Sequence, residues 1–338
     1  MKILITGAAG FVGSSIINNL YNKPNNNITG IDNLRYGYIE RLPQNNNVFK
    51  FIQKDVFGLG DLNEKFDLVI HCSAIAPLPE CQKDPVDTIQ QNVGQCASVV
   101  EFCRKTGTKN IIFFSSGAIY EGLSTHCKET DDVATTLTYP SSKLMAETYL
   151  KSVSRSYGIN IACLRLFNLY GPRQDYFRLQ LPLLGYMIKS LILNQEATFY
   201  ASPSARRDYV YIDDLVDLVL RIARYMRNDE NLSNWFEIFN VGSGEDYSVY
   251  EIVENLEKVS NKKLKYKISK NKNLWTKYPE IFAGEIPLPA NILANEVDKI
   301  ALCDNSKAKD LLNWSPIFSM EEGINECYKY ASELLKNA

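Results

Sequence analysis

Lys2-Ile3-Leu4-Ile5-Thr6-Gly7-Ala8-Ala9-Gly10-Phe11-Val12-Gly13 stands one residue from the start of this 338-residue chain. A largely apolar, β-branched run meets three glycines, and an amphipathic stretch follows to about residue 22. This order predicts a strand over Lys2–Thr6, a tight turn and a helix. In such a turn Gly7 allows the sharp reversal and Gly10 lets the backbone approach a pyrophosphate. Gly13 lets helix and strand pack closely. The helix N-terminus, opening at Phe11 and Val12, turns unpaired N–H groups toward phosphates. The spacing is Gly-x-x-Gly-x-x-Gly, not the Gly-x-Gly-x-x-Gly of the standard dinucleotide fingerprint. A plain strand-to-helix turn is therefore the competing reading of this segment alone.

The first half of the chain repeats the same unit. Ile28–Ile31, Val48–Ile52, Leu68–His71, Asn110–Ser115 and Asn160–Leu166 read as further strands, with helices over roughly 11–22, 85–106 and 140–157. Alternating β and α units predict an α/β fold, a doubly wound parallel sheet of Rossmann type with helices on both faces. Past about residue 170 the pattern loosens. Helices are expected at 182–194, 213–227, 248–259 and 319–336, with short strands near 197–200 and 237–241. The lysine-rich run 262–272 is expected to be a solvated surface segment. The simplest organisation puts a dinucleotide-binding domain in residues 1–170, with about 208–242 returning to it. Residues 171–338 then form mainly a smaller, mixed α/β substrate lobe.

The second strand ends at Gly30-Ile31-Asp32, about twenty residues beyond the glycine loop, where a carboxylate accepts hydrogen bonds from an adenosine ribose. Its charge opposes a 2′-phosphate, so Asp32 favours NAD over NADP, although Arg35 nearby pulls the other way. Asn33 beside it, Asp55-Val56 after the third strand and Ala74 after the fourth complete the expected cofactor-binding set. For Asp55 a helix-capping role is equally open.

Composition narrows the partners. Hydrophobic residues make up 45% and charged residues 22%, ordinary globular values. A formal charge of -2 argues against a nucleic-acid surface, which needs concentrated basic charge. No apolar run reaches the ~20 residues of a membrane span. The opening segment leaves no room for an export signal, so the expected location is cytoplasmic. The eight cysteines include no Cys-x-x-Cys pair and read as reduced, mostly buried thiols. The two histidines, His71 and His126, are too few for a typical His-based catalytic or metal site, and no metal is expected.

Two further segments carry chemistry. Tyr139-Pro140-Ser141-Ser142-Lys143 places a phenol and an ammonium four residues apart, on one face of a helix. A nearby ammonium favours the phenolate and lowers its pKa from the usual value of about 10, toward use as a general base. Ser116, of Ser115-Ser116, closes the strand that starts at Asn110, at the end where open α/β sheets bind ligands. Its hydroxyl can hydrogen-bond the substrate oxygen that Tyr139 deprotonates. Tyr-x-x-x-Lys alone is common on exposed helices; its position after a glycine loop and a Ser-Ser strand end is what gives it meaning.

With these segments in hand, the chain resembles the extended short-chain dehydrogenase/reductase family, in its NAD-dependent nucleotide-sugar epimerase/dehydratase branch. The resemblance spans essentially the whole length. It also rests on Asp32-Asn33-Leu34, on Asp84-Pro85 with Asn92-Val93, and on Arg165 to Gln174. Arg207 to Asp214, Phe239 to Gly244 and Asp304 to Lys309 complete it. It implies that Tyr139 is the base, Lys143 its partner and a ligand of the nicotinamide ribose, and Ser116 the third catalytic residue. Asn168 and Arg207 would contact the diphosphate of a nucleotide sugar.

Departures from the family pattern matter as much. Dehydratases of this branch carry an Asp-Glu pair after the hydroxyl residue, and related decarboxylases a glutamate at the second position; here stand Gly117 and Ala118. Family epimerases place a further arginine near 285–295, but no arginine follows Arg227. Glu80, in an unusual substrate-side loop, either faces the sugar or is a plain surface acid. The expected activity is therefore NAD-dependent 4-epimerisation through a transient 4-keto sugar. The alternative is a C4 dehydrogenase or 4-keto reductase using the same Ser/Tyr/Lys site, and a non-catalytic NAD sensor is the third reading. Family resemblance further implies a homodimer, paired through the helices around 85–106 and 140–157 in a four-helix bundle. The sequence does not say which faces of those helices meet the sheet and which the partner.

Overall fold

The structure is a computed structural model that describes residues 1–21, 23–123, 126–200, 205–228, 232–269 and 274–336. It begins with β1 (Lys2–Thr6), α1 (Phe11–Tyr21), β2 (Asn27–Asp32), β3 (Phe49–Gln53) and β4 (Leu68–His71). The helices α2 (Leu78–Lys83), α3 (Pro85–Ile89) and α4 (Gln95–Thr106) come next. They lead to β5 (Asn110–Ser116), β6 (His126–Cys127), α5 (Thr138–Tyr157), β7 (Asn160–Leu166) and β8 (Asn168–Tyr170). The second half contributes α6 (Leu183–Ile192), β9 (Ala197–Phe199), β10 (Arg206–Tyr211), α7 (Ile212–Asn228) and β11 (Phe236–Val241). It continues through β12 (Asp246–Ser248), α8 (Val249–Ser260), β13 (Tyr266–Ile268) and α9 (Ala290–Asp298). The last elements are β14 (Ile300–Cys303), α10 (Ser306–Leu312) and α11 (Met320–Lys336).

Seven strands in the order β11-β7-β5-β4-β1-β2-β3 form one sheet, and every pairing in it is parallel. This is the doubly wound sheet expected from the βα alternation. The strand order turns back at β1, which lies between β2 and β4, the switch point at whose C-terminal strand ends doubly wound sheets bind ligands. The late strand β11 joins the same sheet at its edge, beside β7.

Side chains alternate across the sheet with the period of a strand. Along β5, Ile111 and Phe113 pack with Val99, Val100 and Phe102 of α4 and with Leu150 and Val153 of α5. Ile112 and Phe114 face the other way, into the cluster that includes Ile16 of α1 and Val219 of α7. This assigns the helix faces that the sequence left open. Val99, Val100, Phe102 and Val153 point at the sheet, whereas Met145 and Tyr157 on α5 stay 51% and 58% exposed. Leu144 and Tyr149 are partly buried at the edges of the core.

The region 85–106 is not one helix. A wide π turn over Gln90–Gly94 separates α3 from α4, and Asn92 within it is buried because its amide binds a neighbouring loop. A second, mixed sheet is built on β10, which pairs with β8, β12 and β14, and β14 pairs with β6. These short elements, with α9 and α10, were not visible in the sequence. In the lysine-rich run, Tyr266–Ile268 forms β13 against β9; residues 270–272, like residue 22, lie outside the described residues. None of the eight cysteines is in a disulfide, and seven of them are buried. Among the described residues no helix is long and apolar enough to cross a membrane.

Candidate active site

The glycine loop sits directly above the end of β1. Gly7 has a φ of +65°, and a Cβ added there would stand 2.7 Å from the Ser73 backbone nitrogen. A Cβ at Gly13 would stand 2.2 Å from the Gly7 carbonyl oxygen, so neither position tolerates a side chain. In the turn, Gly10 N–H donates to the Gly7 carbonyl at 3.1 Å and Ser14 N–H to the Gly10 carbonyl at 3.0 Å. The N–H groups of Phe11, Val12 and Gly13 lie ahead of the first helical bond of α1, as at any helix N-terminus.

Asp32 ends β2 beside this loop and is 8% exposed. Its carboxylate accepts from Ala9 N–H at 3.0 Å and from Leu34 N–H at 2.7 Å. Burial pushes its pKa up, and those two amides oppose the shift. Arg35 is committed to Asp87, Nη2 to Oδ2 at 2.6 Å. Asp55 takes the capping role that the sequence left open, on a short 3₁₀ turn through Phe57 N–H at 3.0 Å, and also accepts from Asn33 Nδ2 at 2.8 Å. Buried Val56 follows it, and Ala74 lies in the loop after β4. A side-chain-free floor, unpaired helical N–H groups and a buried carboxylate at the second strand end fit a bound NAD.

Ser116, Tyr139 and Lys143 converge at the end of β5. Ser116 is 8% exposed, and its Oγ accepts from Ala118 N–H at 3.1 Å. Tyr139 lies in the first turn of α5 and Lys143 one turn later. The Lys143 Nζ donates to the Phe114 carbonyl oxygen at 2.8 Å and lies 5.9 Å from the centroid of the Tyr139 ring. The expected lowering of the tyrosine pKa does not appear in the protein alone. Burial pushes the Tyr139 phenol up to about 12, against the opposing hydrogen bond of Ser116 and charge of Arg178. Burial likewise pulls Lys143 down to about 8. Desolvation outweighs the neighbouring charge here: Lys143 is 4% exposed, and Tyr139 is partly buried at the cavity wall.

Two anchors that sequence reasoning missed hold this helix in place. Asn92 accepts from Ile75 N–H at 2.8 Å and donates to the Ile75 carbonyl at 3.0 Å and to Ser142 Oγ at 2.9 Å. It thereby ties the loop after β4 to α5. Arg165 of β7 forks onto Glu147 of α5, at 3.0 and 2.8 Å, with both side chains under 5% exposed. Both residues fall in or beside motifs of the family pattern, but nothing in their spacing reveals these partners.

Ser116, Gly117, Ala118 and Tyr139 line a cavity of about 380 Å³, together with Arg178 and Lys299. Asn168, Arg178 and Arg207 also line an adjoining cavity of about 620 Å³. Asn168 Nδ2 donates to the Asp208 carbonyl at 2.7 Å. Arg207 Nη2 donates to the carbonyls of Glu296 and Val297, at 2.7 and 3.4 Å. Those carbonyls belong to the last turn of α9, the negative end of its dipole. The segment that lacks the family's arginine thus contributes a helix end that orients Arg207. Glu80, on α2, accepts from the hydroxyls of Tyr36 and Tyr278 at 3.1 and 3.4 Å and lines neither cavity. The sequence reading missed Arg178 and Lys299. Arg178 follows Gln174 by four residues, a cation between Tyr176-Phe177 and Leu179, and that was the available signal.

A family model described as the NAD dependent epimerase/dehydratase family matches residues 3–242. The chain belongs to this family. It is therefore an NAD-dependent nucleotide-sugar epimerase/oxidoreductase, as the resemblance implied. The UDP-glucuronate 4-epimerase of Thermodesulfobacterium geofontis is 28% identical, over 98% of this chain and 96% of that protein. The structure of a Thermotoga maritima UDP-glucose 4-epimerase with UDP-glucose superposes with a TM-score of 0.81 at 26% identity, covering 99% of this chain and 100% of that one. A Bacillus cereus UDP-glucuronic acid 4-epimerase in complex with UDP-glucuronic acid and NAD gives a TM-score of 0.80 at 26% identity, with the same coverage.

Proposed function

We propose that this family member is a nucleotide-sugar 4-epimerase that works through a transient 4-keto sugar. The observation that carries this reading is a cavity lined by Ser116 and Tyr139, with Lys143 one helical turn behind Tyr139, whose positions 117 and 118 hold no acid. Elimination and decarboxylation need a carboxyl group there; removal and return of hydrogen at C4 do not. Tyr139 takes the proton of the C4 hydroxyl, Ser116 hydrogen-bonds the same oxygen, and the Lys143 ammonium supports the phenolate. Bound NAD supplies the hydride acceptor and donor. Gly7, Gly10, Phe11, Val12 and Gly13 hold its pyrophosphate and Asp32 its ribose, with Asn33, Asp55, Val56 and Ala74 around the adenine half. Asn168 and Arg207 hold the sugar-nucleotide diphosphate, because an oriented guanidinium binds phosphate oxygens in a fork. The 4-epimerase activity of the matched relatives supports the same reaction.

The division of labour follows. Residues 1–170, with about 208–242, bind the cofactor, and 171–338 bind mainly the nucleotide sugar. The protein works in the cytoplasm, in carbohydrate biosynthesis, as a homodimer paired through α4 and α5. The exposed Met145 and Tyr157 support that pairing surface; a monomer by light scattering rejects it.

The deciding experiment is proton NMR of the purified protein with a panel of UDP-, GDP-, CDP- and dTDP-sugars and no added cofactor. A product with inverted coupling at the sugar H4 is expected. Net oxidation or reduction that needs added cofactor, without an inverted product, replaces this reading with the C4 dehydrogenase or 4-keto reductase.

A further inference from the structure

The cavity at Ser116 and Tyr139 is lined by three cationic side chains, Arg178, Arg207 and Lys299, and by one acid, Glu296. Two of the cations are accounted for. Lys299 pairs with Glu296 at 3.8 Å. Arg207 is fixed by the carbonyls at the end of α9 and stands with Asn168, the pair suited to the diphosphate. Arg178 is different. Its Nε donates to the Gln180 carbonyl at 2.6 Å, and it has no ion-pair partner among the described residues.

A guanidinium in a protein keeps its proton, so Arg178 brings into the site a charge that no ion pair holds among the described residues. Burial works against that charge, which the Asp175 and Glu80 carboxylates partly offset. Arg178 lines the same cavity as Ser116 and Tyr139, and its charge opposes the upward shift of the Tyr139 phenol. Its charge therefore reaches the catalytic end of the cavity. A neutral hexose offers such a group only hydroxyls. A carboxylate on C5, one bond from the C4 that Tyr139 addresses, offers two oxygens to the guanidinium fork.

We propose that Arg178 selects a carboxylated sugar, so that the substrate is a nucleoside-diphosphate hexuronate rather than a neutral hexose. This rests on the 4-epimerase reading for placing C4 at Tyr139. The competing role for Arg178 is a diphosphate contact in place of the arginine that the back third lacks.

Titration calorimetry separates the two. The purified protein, Arg178→Gln and Arg178→Lys are each titrated with UDP, UDP-glucose and UDP-glucuronate, and turnover of both sugars is followed by NMR. The unaltered protein is expected to bind UDP-glucuronate about tenfold or more tighter than UDP-glucose, the gain of one charge-assisted pair. Arg178→Gln abolishes that preference while leaving UDP and UDP-glucose within about threefold, and Arg178→Lys keeps part of it. Equal weakening of all three ligands makes Arg178 a diphosphate contact and overturns the proposal. A preference that survives Arg178→Gln, or none in the unaltered protein, overturns it too. A uronate preference with no epimerisation of either sugar refutes the 4-epimerase reading and leaves the Arg178 assignment standing. Epimerisation of UDP-glucose with no uronate preference does the reverse.

Discussion

Lys143 donates from Nζ to the carbonyl oxygen of Phe114 at 2.8 Å, two residues before the strand ends in Ser116. The bond fixes the ammonium under the catalytic end of β5, and burial there brings its pKa to about 8. The folded value lies below the unfolded one, so between about pH 8 and 10.5 the unfolded chain holds a proton that the folded one has released. The contribution of Lys143 to stability therefore rises with pH across that window. Lys143→Met is expected to lower turnover roughly hundredfold or more. The stability of the unaltered protein should gain on that of the variant between pH 8 and 10.5, measured by urea unfolding. A gap that moves the other way refutes the buried, depressed lysine.

Tyr139 is the group that exchanges a proton with the substrate, so its hydroxyl and not its ring carries the chemistry. Tyr139→Phe removes only that oxygen. Turnover should fall by at least about a thousandfold, a loss in the range of a positioned acid–base group. Bound NAD, quantified by chromatography after denaturing the protein, should remain. Full activity in the variant rejects the mechanism.

Much of this was legible in the sequence because it is local. The sheet strands are apolar β-branched runs bounded by glycine, asparagine and charge. The glycine loop and the Tyr139–Lys143 spacing lie within single elements. What stayed hidden depends on contacts between distant segments. Arg207 meets the Glu296 carbonyl across 89 residues. The π turn that interrupts 85–106 goes with Asn92 binding Ile75 and Ser142, the latter 50 residues away. The upward shift at Tyr139 comes from burial, which no four-residue spacing reveals. Glu80 read as a candidate sugar contact from its place in an unusual loop, yet two tyrosine hydroxyls occupy its carboxylate.

Asp32 has a double duty, since the carboxylate that would meet the ribose also accepts from Ala9 N–H in the glycine loop at 3.0 Å. Asp32→Ala should therefore weaken NAD binding by about tenfold to a hundredfold, the loss of charge-assisted hydrogen bonds plus a looser loop. Arg35 is paired with Asp87 and the Asp32 carboxylate opposes a 2′-phosphate, so NADP should bind more weakly than NAD. Calorimetry on cofactor-stripped protein checks both. Unchanged NAD affinity in the variant removes Asp32 from the cofactor site.

His71 gives the clearest acid dependence. It ends β4, is 1% exposed, and its Nδ1 shares a 2.6 Å hydrogen bond with Thr6 Oγ1 of β1. Burial, with the Lys143 charge nearby, brings its pKa to about 3 from 6.5. As pH falls from 6.5 toward 3, the unfolded chain takes up a proton that the folded protein refuses, so stability drops through that window. Asp208 and Asp214, raised by burial to about 7 and about 6, act in the opposite sense: their contribution is present at low pH and is lost as pH rises. They are common to the protein and a His71 variant and cancel in the comparison. His71→Gln keeps a polar group near Thr6 and cannot take up the proton. It should cost roughly 1–3 kcal/mol at pH 7, as expected for a disturbed buried hydrogen bond. That deficit should shrink or reverse by pH 4.5, by urea unfolding at both values. A deficit that stays constant from pH 7 to 4.5 means that His71 takes up its proton in the folded protein as readily as in the unfolded one.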